Sequence, residues 1–145
     1  MNDADRQTLV AELNVLLEAE RAGARVGAAL EQEAVGGRFD QLAHTIHVDE
    51  IRWARALFEA LVALGAEPSD KVGDFYERAM AIDGFEARLA FVNRGQGWVV
   101  RKLRELLPTI DITPLKVTLQ AMLDAHVVNI EAANAALAEG QARQV

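Results

Sequence analysis

Ala43-His44-Thr45-Ile46-His47-Val48-Asp49-Glu50-Ile51-Arg52-Trp53 decides how the chain folds, because its apolar residues recur at helical spacing and a glutamate falls among them. The inward stripe of this helix runs Leu42, Ile46, Trp53, Leu57 and Leu64, and Glu50 lies on it between Ile46 and Trp53. Burying an ionised carboxylate is costly unless it is paired, hydrogen-bonded or bound to a metal, so Glu50 needs a partner. The helix is expected to begin at Phe39 or Asp40 and to end at Gly65, with Pro68 blocking its continuation.

Working outward, the preceding helix is read from about Asp5 to about Ala34, with Leu9, Leu13, Leu16, Glu20, Ala24 and Gly27 or Ala28 on its inner face. Gly36-Gly37 stops it, and the short connection makes the first two helices a hairpin. On the other side, residues 66–83 hold only one short helical pattern, Phe75-Tyr76-Glu77-Arg78-Ala79-Met80-Ala81-Ile82, within a connection long enough to cross a bundle. A third long helix is predicted from near Gly84 to about Leu107, with Asp83 and Glu86 spaced as a capping box and a stripe of Phe85, Leu89, Val92, Gln96, Val99, Leu103 and Leu106. The fourth takes Thr113 as N-cap and Pro114 as its first residue, with Leu115, Leu119, Met122, His126, Ile130, Ala133 and Leu137 inward. Residues 140–145 are expected to fray.

Each long helix therefore carries one polar residue on its buried stripe: Glu20, Glu50, Gln96 and His126. All four lie roughly 10 to 15 residues from their helix starts, which at about 1.5 Å per residue places them near mid-height whichever way each helix runs. They should converge in one layer. Two carboxylates and an imidazole are a suitable ligand set for Fe, Mn or Zn, with Gln96, Asn93 or water completing the shell and His47 as a further ligand. The alternative is a metal-free network in which His126 and Gln96 satisfy the two glutamates and fix helix register, in a non-catalytic interaction or ligand-binding bundle.

Composition bounds the rest. At 145 residues, a single domain with its core at about residues 5–139 is expected. Alanine and leucine abound with only 3 prolines, which favours an all-α fold. A net charge of −7, with no basic cluster interleaved with aromatics, argues against nucleic-acid partners. The absence of cysteine excludes thiolate ligands and nucleophiles, and the lone Ser69 leaves no serine triad. The opening residues lack signal-peptide order and no apolar run nears the roughly 18 residues of a membrane span, so a soluble, cytoplasmic protein is expected. Arg94, Arg101, Lys102 and Arg104 are read as outer-face residues in surface ion pairs. If that face lies instead between the subunits of a homodimer, Arg94 pairs with acidic residues across it. Phe75 and Tyr76 are read as core plugs.

The segments Leu13-Asn14-Val15-Leu16-Leu17-Glu18-Ala19-Glu20-Arg21-Ala22-Gly23-Ala24, Asp49-Glu50-Ile51-Arg52-Trp53 and Asn93-Arg94-Gly95-Gln96-Gly97-Trp98 resemble a bacterial ferritin-like family of unknown function. The resemblance extends from about Leu9 to Leu137. It implies an antiparallel four-helix bundle whose third helix is reached by a long crossover containing a short helix. The di-iron pattern of the ferritin-like superfamily takes a glutamate from each of two helices and Glu-x-x-His from the other two. Glu20 and Glu50 match glutamates of that pattern, but Trp53 stands at the second-helix histidine, helix 3 offers Asn93 and Gln96, and helix 4 offers His126-Val127-Val128-Asn129. The implied ligand set is reduced, and one metal ion is expected rather than two bridged irons.

Overall fold

The computed structural model describes residues 1–144, with side chains for residues 1–140. Five α-helices follow in order: α1 (Asp3–Ala34), α2 (Asp40–Ala63), α3 (Phe75–Met80), α4 (Phe85–Leu106) and α5 (Thr113–Gln144), with a 3-10 turn at Leu107–Thr109. No strand occurs among the described residues, and no helix there is long and apolar enough to cross a membrane. Helix α5 is described to Gln144, and Val145, the last residue of the tail expected to fray, lies outside the described residues.

The helix ends show where local chemistry sets the boundaries. α1 starts before Asp5 because the Asn2 side chain accepts from the Asp5 N–H at 2.8 Å, satisfying a donor in the first turn. α2 ends as expected, with Gly65 in the left-handed region at φ 71°. The capping box at Asp83 does not form. Gly84 holds the cap position, its carbonyl accepting from the Arg88 N–H at 3.1 Å, and Glu86 turns instead toward Arg38. α5 likewise begins one residue earlier than the Thr113 cap implies, because the Ile112 carbonyl accepts from the Lys116 N–H at 3.0 Å. Pro114 then sits second in the helix, where its missing N–H is equally harmless.

Apolar packing falls into two clusters. One joins Leu9–Leu17 of α1, Trp53–Leu61 of α2, Val99–Leu106 of α4 and Leu115–Leu123 of α5. The other joins Val26–Ala34, Ala43 and Ile46, Leu89 and Val92, and Ala133. The early part of α1 and α5 thus packs with the late part of α2 and α4, so α1 and α5 run one way and α2 and α4 the other. Between the clusters lie Glu20, Glu50, Gln96 and His126, all buried.

The chain between α2 and α4 is held at several points by residues of α1. Arg6 donates to the Leu64 carbonyl, Asn14 accepts from the Ser69 N–H, Arg21 donates to the carbonyls of Ser69 and Lys71, and the Arg25 guanidinium covers the Tyr76 ring. Contacts advance along both segments together. Phe75 and Tyr76 pack on the second cluster, as expected of plugs.

Arg88 locks α3 in place. It is buried, donating from Nε to the Ala79 carbonyl at 3.2 Å, from Nη2 to the Ile82 carbonyl at 2.7 Å and from Nη1 to Glu33. Removing a charged donor strands those carbonyls, so Arg88→Met is expected to cost about 2–3 kcal/mol. Urea melts should show this, with proteolysis between residues 72 and 82 rising in parallel; an unchanged midpoint would contradict the role. The basic residues of α4 behave differently from expectation. Among the described residues none of Arg94, Arg101, Lys102 and Arg104 forms an ion pair, and Arg94 and Lys102 lie over the rings of Phe91 and Trp98.

Candidate metal centre

Small residues on α1 bring α2 close enough to form the site. A Cβ at Gly27 would lie 3.0 Å from the His47 Cα, and one at Gly23 would lie 2.6 Å from Glu50 Oε2. The missing side chain of Gly23 is therefore the space the Glu50 carboxylate occupies, one turn above Glu20. Glycine inside a helix costs up to about 1 kcal/mol relative to alanine, offset here by that approach.

Glu20, Glu50 and His126 each present one ligand atom, and these atoms all lie within 4.8 Å of one another. This buried group can hold a metal ion. His126 Nδ1 lies 2.9 Å from the Met122 carbonyl, an acceptor, so Nδ1 carries a hydrogen and the ring presents Nε2 to the carboxylates. Nε2 lies 2.8 Å from Glu20 Oε1, out of line for a hydrogen bond, which leaves the adjoining Glu50 carboxyl as the group with which Glu20 can share a proton. Donors bound at about 2.1 Å with tetrahedral or octahedral angles sit roughly 3.0–3.4 Å apart, close to this separation.

Electrostatics make the arrangement costly without a cation. No lysine or arginine pairs with Glu20 or Glu50 among the described residues. Burial pushes the Glu20 carboxyl up to about 7, helped by the charge of Asp49 and partly offset by the adjoining Glu50 carboxyl. Glu50 is raised well above the usual carboxylate range, first by burial and then by the neighbouring charge of Glu20, while His126 lowers it in part. Asn129, itself buried, donates to Asp49 Oδ2 at 2.8 Å and so pins α5 to α2 beside the centre.

The other expected ligands separate. Gln96 is buried with both amide atoms unpartnered. Asn93 donates to Asn134 Oδ1 at 2.8 Å, tying α4 to α5 instead of completing the shell. His47 does not join the group, because Glu31 of α1 takes it: His47 Nδ1 lies 2.6 Å from Glu31 Oε2, and His44 Nδ1 lies 3.1 Å from Oε1. Those two contacts hold the Glu31 carboxyl below the usual range. Trp53 packs in the first cluster with its indole N–H unpartnered. Two contributors were missed in the sequence, Gly23 and Asp49. A glycine three residues after a buried glutamate, on the helix that faces Glu50, was the available signal for the first.

Residues 7–136 match the family model described as a domain of unknown function, DUF6306. The chain belongs to this family. No curated protein and no solved structure matches it. The matched stretch of the DUF6306 domain contains Glu20, Glu50, Gln96 and His126 together with Gly23 and Asp49. A family description of this kind assigns no chemistry, so the reading of DUF6306 rests on the site itself.

Proposed function

We propose that this DUF6306 chain is a ferritin-like four-helix bundle that binds a single Fe, Mn or Zn ion through Glu20, Glu50 and His126, with Gln96 as an auxiliary. The observation that carries the reading is the convergence of two buried carboxyl groups and an imidazole nitrogen within 4.8 Å, each from a different helix and with no lysine or arginine paired to them among the described residues. The ferritin-like assignment is supported by the shared direction of α2 and α4 and by the long connection along α1. Softness and charge of the donors suit a divalent first-row metal, whereas Mg or Ca would favour an all-oxygen shell. Replacing the usual carboxylates and histidines by Trp53, Asn93, Gln96 and Asn129 leaves ligands for one ion.

Elemental analysis after anaerobic Fe(II) or Mn(II) loading, or Zn(II) loading, followed by desalting, tests this beside Glu50→Ala. About one ion per chain, lost in the variant, is the expected result. No retained metal in either protein would sink it and favour the metal-free network, in which the raised carboxyls share protons.

Gly23→Ala probes the same site without removing a ligand. The added methyl displaces the Glu50 carboxylate, while alanine favours the helix, so metal retention should fall about 10- to 100-fold with the helical CD signal unchanged. Unaltered metal affinity in Gly23→Ala would show that binding does not depend on the Glu50 carboxylate lying against Gly23.

A further inference from the structure

A cavity of about 520 Å³ opens between α1, α4 and the segment 72–78, and Glu50 and Gln96 are among its lining residues. Its volume is that of a small-molecule site, and its walls are apolar: Phe75 and Phe91, stacked with centroids 4.9 Å apart, with Val92, Trp98 and Val99. Exposure separates floor from rim. Gln96 and Glu50 are buried, whereas Arg78, Arg94 and Asp74 are exposed and Glu18 is half-buried. Gln96 is the group that needs a ligand, since its carbonyl and its amide nitrogen are both unpartnered at 4% exposure. A buried amide left without partners costs on the order of 1–3 kcal/mol per group, which a polar atom arriving through the cavity would relieve.

The rim carries both signs. Arg78 and Arg94 lie over the Phe91 ring, at 5.5 and 5.8 Å from its centroid, and neither is ion-paired among the described residues. Glu18 and Asp74 are likewise unpaired there. Two cations, two anions, an aromatic wall and an unsatisfied amide at the far end describe one kind of ligand. We propose that the cavity binds a small zwitterion with a flat apolar body and a polar distal group, the chemistry of a free hydroxylated aromatic α-amino acid. Its carboxylate meets Arg78 and Arg94, its ammonium meets Glu18 and Asp74, its ring lies against Phe75 and Phe91, and its distal hydroxyl reaches Gln96. Glycine at position 95 keeps the wall in place, because a Cβ there would lie 2.8 Å from the Phe75 ring.

Calorimetric titration of the full chain with L-tyrosine, with and without prior chelation, tests this. Three truncated probes accompany it: tyramine lacks the carboxylate, 3-(4-hydroxyphenyl)propionate lacks the ammonium, and L-phenylalanine lacks the hydroxyl. Tyrosine should bind one to one, and each truncated probe about tenfold or more weakly, since each leaves a charged or buried polar group without its contact. The double variant Arg78→Gln, Arg94→Gln, at exposed positions whose side chains form no hydrogen bond or ion pair among the described residues, should bind tyrosine and tyramine alike. Gln96→Leu should bind tyrosine and phenylalanine alike. No saturable binding of tyrosine up to its solubility, four probes within about twofold, or variants that weaken every probe equally would each overturn the proposal. Tyrosine binding by protein that retains no metal after loading and desalting would support the cavity and overturn only the metal reading; retained metal without tyrosine binding would overturn only the cavity.

Discussion

Metal-loaded protein is expected to melt roughly 10 °C above the same protein after chelation, and Glu50→Gln to erase that difference. A ligand present at about 1,000 times its dissociation constant adds about 4 kcal/mol when it binds the native state alone, and each kcal/mol moves the melt of a chain this size by roughly 2–4 °C. Glu50→Gln keeps the shape of the side chain and removes the charge that both holds a cation and burdens the empty site. The variant should therefore lose the metal increment while its chelated form melts no lower than the chelated parent. Scanning calorimetry with Zn(II) or Mn(II), then with chelator, reads both quantities. A melt indifferent to chelation in loaded parent protein would remove the metal from the account of this fold.

The second large effect is a stability that falls as pH rises, in chelated protein. Glu20 is raised from 4.5 to about 7 in the folded chain. Between those values the native state keeps a proton that the unfolded chain releases, so unfolding is increasingly favoured with rising pH. The contribution is fully present below pH 4.5 and lost by about pH 7 for Glu20, and Glu50, raised in the same direction, extends the loss upward. For Glu20 alone the difference is on the order of 3 kcal/mol. Urea midpoints of chelated protein at about pH 5.5 and 8 read about 2 kcal/mol of it. The double variant Glu20→Gln, Glu50→Gln should flatten the dependence and exceed the parent at the higher pH. A parent midpoint that rises with pH would mean that both carboxylates are ionised and compensated by a group the structure does not place there.

Much of this was legible in the chain because the layer obeys helical arithmetic. Glu20, Glu50, Gln96 and His126 interrupt four apolar stripes at matching heights, and periodicity alone predicts that they meet. What periodicity misses is whatever reaches across from another element. His47 sits one turn from Glu50 and looks like a ligand, yet Glu31 on the neighbouring helix is nearer to its ring. Arg88 lies off the stripe, so periodicity gives it no role, yet α3 folds over it and supplies carbonyls. Arg6, Asn14 and Arg21 occupy the polar side of α1 and read as surface residues, although together they set the path of the connection. The start of α4 near Gly84 was legible, but its capping box was not formed: Gly84 takes the cap position and no side chain caps the helix.

The two apolar clusters, separated by one polar layer, also restrict how the lengths of this chain can vary. Residues added at the outer ends, near Gly37 or Pro108, only lengthen a cap. Residues added on one helix between its cluster and its polar residue slide an acid or an imidazole into hydrocarbon and a leucine into the layer. The hairpin of α1 and α2 therefore behaves as a counted length, and a tolerated insertion within it must be a whole number of turns placed beyond the layer and matched on both arms.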